Sequence, residues 1–75
     1  MFGHWLRVAR TRKNMTQTEL GKRIGVTGSM ITQIERGSRQ ASPPLIKEMV
    51  RVLEVSLDFL FYGEERKRRS ELPVE

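Results

Sequence analysis

The chain has 75 residues, enough for one small domain but not for a large active-site cavity, which argues against a self-sufficient enzyme. Its 14 Lys and Arg outnumber 9 Asp and Glu, a formal net charge of +5, so an anionic partner is expected, nucleic acid first. With no cysteine, disulfides, thiolate metal sites and a cysteine nucleophile are excluded, and stability must come from a packed core.

No apolar run is long enough for a signal-peptide core or a membrane span, so a cytoplasmic chain without a membrane partner is expected. Its charge is uneven. Residues 1 to 40 carry Arg7, Arg10, Arg12, Lys13, Lys22, Arg23, Arg36 and Arg39 against Glu19 and Glu35, a net of +6. Residues 41 to 63 net −1, and residues 64 to 75 balance four against four. An anion should therefore dock on the first half.

Phe2, Trp5, Leu6 and Ala9 recur at i, i+3, i+4 and i+7, which predicts a helix ending near Lys13, with Asn14 as a left-handed stop. Phe2 and Trp5 read as core rather than as stacking platforms for bases. Thr16-Gln17-Thr18-Glu19 is a capping box, with Met15 and Leu20 as its hydrophobic staple, and predicts a second helix from Gln17 to Ile24, ended by Gly25. Val26, Thr27 and Ile31 repeat the device, so a third helix opens near Gly28, buries Ile31 and Ile34, and stops at Gly37.

After the polar loop Ser38-Arg39-Gln40-Ala41, Ser42 is expected to cap a fourth helix whose first turn holds Pro43 and Pro44. Ile46, Met49, Val50 and Leu53 are its expected buried stripe. Ser56 opens a short fifth helix from Leu57 to about Tyr62, with Gly63 as its stop. The expected fold is all-α: a five-helix domain over residues 1–63, followed by a charged tail over 64–75. That tail is expected to be flexible or a helical extension, since Glu64/Arg68 and Glu65/Arg69 are i, i+4 pairs. Arg66-Lys67-Arg68-Arg69 is a further candidate arm for DNA.

Two short helices joined through Gly25-Val26-Thr27, with the small Gly21 on the first, describe a helix-turn-helix unit. Taken with Leu6…Arg10, Met15-Thr16-Gln17-Thr18-Glu19-Leu20-Gly21, Met30-Ile31-Thr32-Gln33-Ile34-Glu35-Arg36-Gly37 and Leu53-Glu54-Val55-Ser56-Leu57-Asp58-Phe59-Leu60, the sequence resembles the lambda-repressor-like helix-turn-helix family over about residues 5 to 63. That resemblance implies a third helix lying in the DNA major groove, on a palindromic operator, as a homodimer. It also implies a structural ion pair between Arg10 and Glu35.

The residues themselves suit such a role. Ser29, Met30, Thr32 and Gln33 are neutral and expected on the exposed face of the third helix, where Gln33 suits adenine and the shorter side chains suit several bases. The DNA backbone is expected to meet Arg12, Lys13, Gln17, Thr27, Gly28, Arg36 and Arg39, the first three beside the free amides opening the second helix. Glu54, Leu57, Leu60 and Phe61 are the candidate dimer patch.

Two positions depart from the family. Gly28 has no side chain where a long polar one commonly reads a base, and Glu54 stands where glycine commonly ends the fourth helix. Either the stop differs, or Glu54 accepts a left-handed backbone.

The expected function is a DNA-binding transcriptional regulator, most simply a repressor. A restriction-modification controller protein, an antitoxin that chiefly binds a protein, and the amino-terminal domain of a longer regulator remain as alternatives. No cofactor, metal or small-molecule site is expected: His4 stands alone, and there is no nucleophile-base pair, Gly-rich phosphate loop or metal-ligand spacing.

Overall fold

The computed structural model describes residues 1–64. They form α1 (Phe2–Arg12), α2 (Gln17–Ile24), α3 (Gly28–Arg36), α4 (Pro43–Leu53) and α5 (Leu57–Tyr62), with no strand among the described residues. The expectations for the tail, including its ion pairs and the Arg66–Arg69 run, lie outside the described residues.

Helix starts follow local chemistry. The Glu19 amide donates to Thr16 Oγ1 at 3.0 Å and the Thr16 amide to Glu19 Oε1 at 2.7 Å, satisfying two amides that the helix would leave without partners. Thr27 Oγ1 accepts from the Met30 amide at 3.1 Å, and Ser56 Oγ from the Phe59 amide at 3.0 Å. Ser42 occupies the cap position of α4 without such a bond, with Pro43 and Pro44 in the first turn. Proline there spares two amides, so the helix opens with less need of a side-chain cap.

At the helix ends, Asn14 and Glu54 are, among the described residues, the non-glycine residues with positive φ, both 57°. Glu54 therefore ends α4 as a left-handed residue, its amide bonding the Val50 carbonyl at 3.0 Å. A side chain in that backbone region costs about 1–2 kcal/mol. Lys13 pairs with the Glu54 carboxylate, holding the α4 terminus to the end of α1.

The core draws on every helix: Leu6 and Ala9, Leu20, Ile31 and Ile34, Leu45, Met49 and Leu53, and Phe59 and Leu60. α2 packs on α3 and α4, while α1 packs on α3 and α5. The stripe of α4 differs from the expected one. Leu45, Met49 and Leu53 are buried and four residues apart, whereas Ile46 and Val50 are half-buried at its edge. Both registers match a helical period, and the position of α2 selects between them.

Trp5 meets the Phe59 ring edge-on, centroids 5.8 Å apart, and Phe2 meets Phe61 at 5.1 Å. These contacts pin α5 across α1, leaving α2 and α3 to form one side of the domain.

Candidate nucleic-acid interface

The α2–α3 corner is tight because of two glycines. A Cβ at Gly21 would come within 2.5 Å of the Val26 carbonyl oxygen, and one at Gly28 within 3.0 Å of Thr18 Cα. Gly28 thus has an intramolecular reason: its missing side chain lets the first turn of α3 lie against the start of α2.

A buried polar network holds this corner to α1. Arg10 Nε donates to Glu35 Oε2 at 2.7 Å, Nη2 to Glu35 Oε1 at 3.1 Å, and Nη1 to the Met15 carbonyl at 2.8 Å. The two side chains are only 10% and 5% exposed. Gln17 Nε2 adds a bond to Glu35 Oε1 at 3.0 Å. The Thr32 hydroxyl lies 2.7 Å from Gln17 Oε1 and 3.0 Å from the Gly28 carbonyl, two acceptors sharing one hydrogen. Arg10, Glu35, Gln17 and Thr32 therefore fix how α1, α2 and α3 meet, with the paired charges satisfied by several hydrogen bonds.

This network corrects several sequence expectations. Thr32 is half-buried with its hydroxyl occupied, and Met30 is half-buried against the core, so neither is a freely exposed reading residue. Gln17 is half-buried and keeps one amide hydrogen for a ligand. Ser29 and Gln33 are exposed. Gln33 Oε1 accepts from Arg39 Nε at 3.1 Å, and Ser38 Oγ donates to the Gln33 carbonyl at 3.1 Å, so the loop after α3 folds back on its last turn. Arg36 and Arg39 are exposed beside that turn.

Arg12 and Lys13 point elsewhere. The Arg12 guanidinium sits 5.1 Å over the Phe59 ring, and Lys13 pairs with Glu54. The Lys13 hydrogen bond holds the Glu54 carboxyl below its ordinary value. Both cations thus serve the α4–α5 side, although they stand only a few residues before α2.

Two exposed side chains of α1 that sequence reasoning left without a role lie beside the corner. His4 and Arg7 border a groove of about 750 Å³ together with Thr16, Gln17, Thr32 and Arg36. Their i, i+3 spacing, off the apolar stripe of α1, was the available signal. Among the described residues, no group of three His, Asp or Glu could hold a metal, and no helix is long and apolar enough to cross a membrane.

On the far side, Leu57 is 53% and Phe61 42% exposed, whereas Leu60 is fully buried. The candidate patch is corrected accordingly: α5 has only six residues, and Phe59 and Leu60 close the core. Tyr62, which the sequence reading had not placed in the patch, is 70% exposed beside Phe61. Glu54 is exposed, with its carboxylate engaged by Lys13.

The helix-turn-helix family model matches residues 6–60, from Leu6 on α1 to Leu60 on α5. The chain belongs to the helix-turn-helix family. Its helix-turn-helix is α2, the Gly25–Thr27 turn and α3.

Two relatives are bacterial. The chain is 32% identical over 68 residues to the uncharacterized HTH-type transcriptional regulator YqaE of Bacillus subtilis (strain 168), covering 91% of this chain and 59% of YqaE. It is 35% identical over 60 residues to the uncharacterized HTH-type transcriptional regulator YazB of the same strain, covering 80% of this chain and 87% of YazB. The chain thus spans about three-fifths of the length of YqaE and most of YazB. A crystal structure of the P22 c2 repressor protein in complex with a synthetic operator superposes with a TM-score of 0.79 at 28% identity, covering 85% of this chain and 97% of that one.

Proposed function

We propose that this helix-turn-helix chain is a DNA-binding transcriptional regulator, a repressor that occupies a palindromic operator as a homodimer. The observation that carries the reading is the surface of α3. Its exposed Ser29 and Gln33 are neutral, the exposed cations Arg36 and Arg39 follow at its C-terminal end, and its orientation is held by the buried Arg10–Glu35 pair. A neutral face that ends in cations suits a helix entering a polyanion's groove, with the cations on the backbone and the neutral amide on a base edge. Similarity to a repressor solved with its operator supports the same reading.

In this reading Ser29 and Gln33 read bases, while Met30 and Thr32 shape the α3 surface from half-buried positions. Gln17, Thr27, Gly28, Arg36 and Arg39 line the DNA backbone, the first three through the amides at the openings of α2 and α3. Leu57, Phe61 and Tyr62 supply apolar contact between two copies, with Glu54 at the rim. A dimer follows physically, because one short helix reads few base pairs and a second half-site about 34 Å away multiplies specificity.

Selection of binding sites from random duplexes tests the proposal. Enrichment of a two-fold symmetric site, bound with a steep salt dependence of about −0.9 in log-log slope per phosphate neutralised, is the expected result. No enrichment, or an affinity independent of salt, would overturn it.

A further inference from the structure

We infer that the first two turns of α1 are part of the DNA contact, with His4 and Arg7 joining Arg36 on the backbone at the exit of the recognition helix. The inference rests on the DNA-binding reading and deepens it by adding a third element, besides α2 and α3, to the phosphate-contacting surface.

Proximity is the first ground. A Cβ on Gly3 would stand 2.4 Å from the Glu35 carbonyl oxygen and 2.6 Å from that of Ile34. The start of α1 is therefore pressed onto the last turn of α3 as closely as backbone allows, which glycine alone permits. His4 follows that contact directly and Arg7 lies one turn on, so both stand beside the point where α3 leaves the major groove. The walls of that groove are rows of phosphates.

Charge is the second ground. The acid in this groove is Glu35, and both its carboxylate oxygens are taken, by Arg10 and by Gln17. Arg10 and Glu35 cancel, so Arg7 and Arg36 leave the groove net positive. His4 and Arg7 are exposed, and neither has an acidic partner among the described ion pairs. A groove of about 750 Å³ bordered by cations from α1 and α3, with polar Gln17 and Thr16 beside them, is open enough to admit a phosphodiester strand and carries the charge to hold one. An arginine there would offer its planar fork to a phosphate.

Titrating operator and scrambled duplexes over a range of salt concentrations tests this, using the full chain and its Arg7→Ala, His4→Ala/Arg7→Ala, Arg36→Ala and Arg51→Ala variants. Arg51 is paired with Glu48 on α4 and serves as the charge-matched control. The expected result is that Arg7→Ala weakens both duplexes alike, by roughly two- to tenfold, and flattens the log-log slope by about 0.9. The double variant should lose more, and Arg51→Ala should leave the slope unchanged. Thermal melting of each variant confirms that the fold is retained, as expected for exposed side chains.

If Arg7→Ala and the double variant bind like the parent while Arg36→Ala weakens, the α1 contact is overturned and the DNA-binding reading stands. A loss confined to the operator would also overturn it, since a phosphate contact carries no sequence information. A parent that binds no duplex would remove the underlying reading itself.

Discussion

Gln33 Oε1 accepts a hydrogen bond from Arg39 Nε at 3.1 Å, so the longest exposed uncharged side chain of α3 is tethered by the loop that follows it. The bond orients the Gln33 amide and leaves its two N–H donors free. Reading adenine needs the oxygen as well as a donor, so binding must share or replace the Arg39 contact. Gln33→Ala is expected to cost about 1–3 kcal/mol on the preferred operator and little on scrambled DNA. Arg39→Ala should weaken both duplexes. The double variant should deviate from additivity on the operator by at least about 0.5 kcal/mol. Equal losses on both duplexes for Gln33→Ala would make Gln33 a backbone clamp.

The Arg10–Glu35 pair is a sharper test of architecture. Glu35→Ala leaves a guanidinium buried at 10% exposure with its carboxylate gone, and unfolding by urea should show a loss of about 3–5 kcal/mol. Gln17 loses its anchor in the same variant, and with it the amide that meets Thr32 is freed to move, so operator affinity should fall even where the domain remains folded. Replacing both members together, Arg10→Met with Glu35→Leu, should recover most of the stability because no unpaired charge is left. A single-variant loss no larger than that of an exposed ion pair would show that the network does not organise the three helices.

Core and exposed apolar surface separate on α5. Ile34 and Leu60 are both buried, and truncation of either to alanine should cost about 2–5 kcal/mol in thermal or chemical unfolding. That loss should be the same at all protein concentrations. Leu57→Ala with Tyr62→Ala, at the two most exposed apolar positions of α5, should instead weaken self-association, seen as a lower mass by sedimentation and a lower operator affinity. Melting of Ile34→Ala within a degree of the parent would show that this face of α3 is not in the core.

Stability should also report the capping box through pH. Hydrogen bonds from Thr16, the backbone amide first and then the side chain, hold the Glu19 carboxyl below its ordinary value of 4.5. A lowered carboxyl contributes stability that is present above its unfolded value and is lost as pH falls through its folded value. The parent should therefore lose stability progressively below about pH 4.5, and Glu19→Gln should lose less over the same window. Parallel curves for the two proteins would exclude this origin.

Much of the fold was legible because helix boundaries here are local events. Thr16 with Glu19, Thr27 and Ser56 each satisfy an amide within three residues, and apolar spacing on α1 and α3 points to one face. The pairing of Arg10 with Glu35, by contrast, came to the sequence reading through family resemblance, since nothing local links residues 25 positions apart. What the sequence could not decide was where competing partners would lie in space. Arg12 and Lys13 precede α2 by a few residues, yet the helix turns them toward Phe59 and Glu54. Leu60 and Phe61 are adjacent and both apolar, yet packing of α5 on α1 buries one and exposes the other. Thr32 and Gln17 are polar residues on different helices, and only the crossing of α2 on α3 brings their side chains to 2.7 Å. Caps and periods are written into the chain within a turn or two, whereas the face a side chain presents depends on neighbours far along it, and those are set by packing alone.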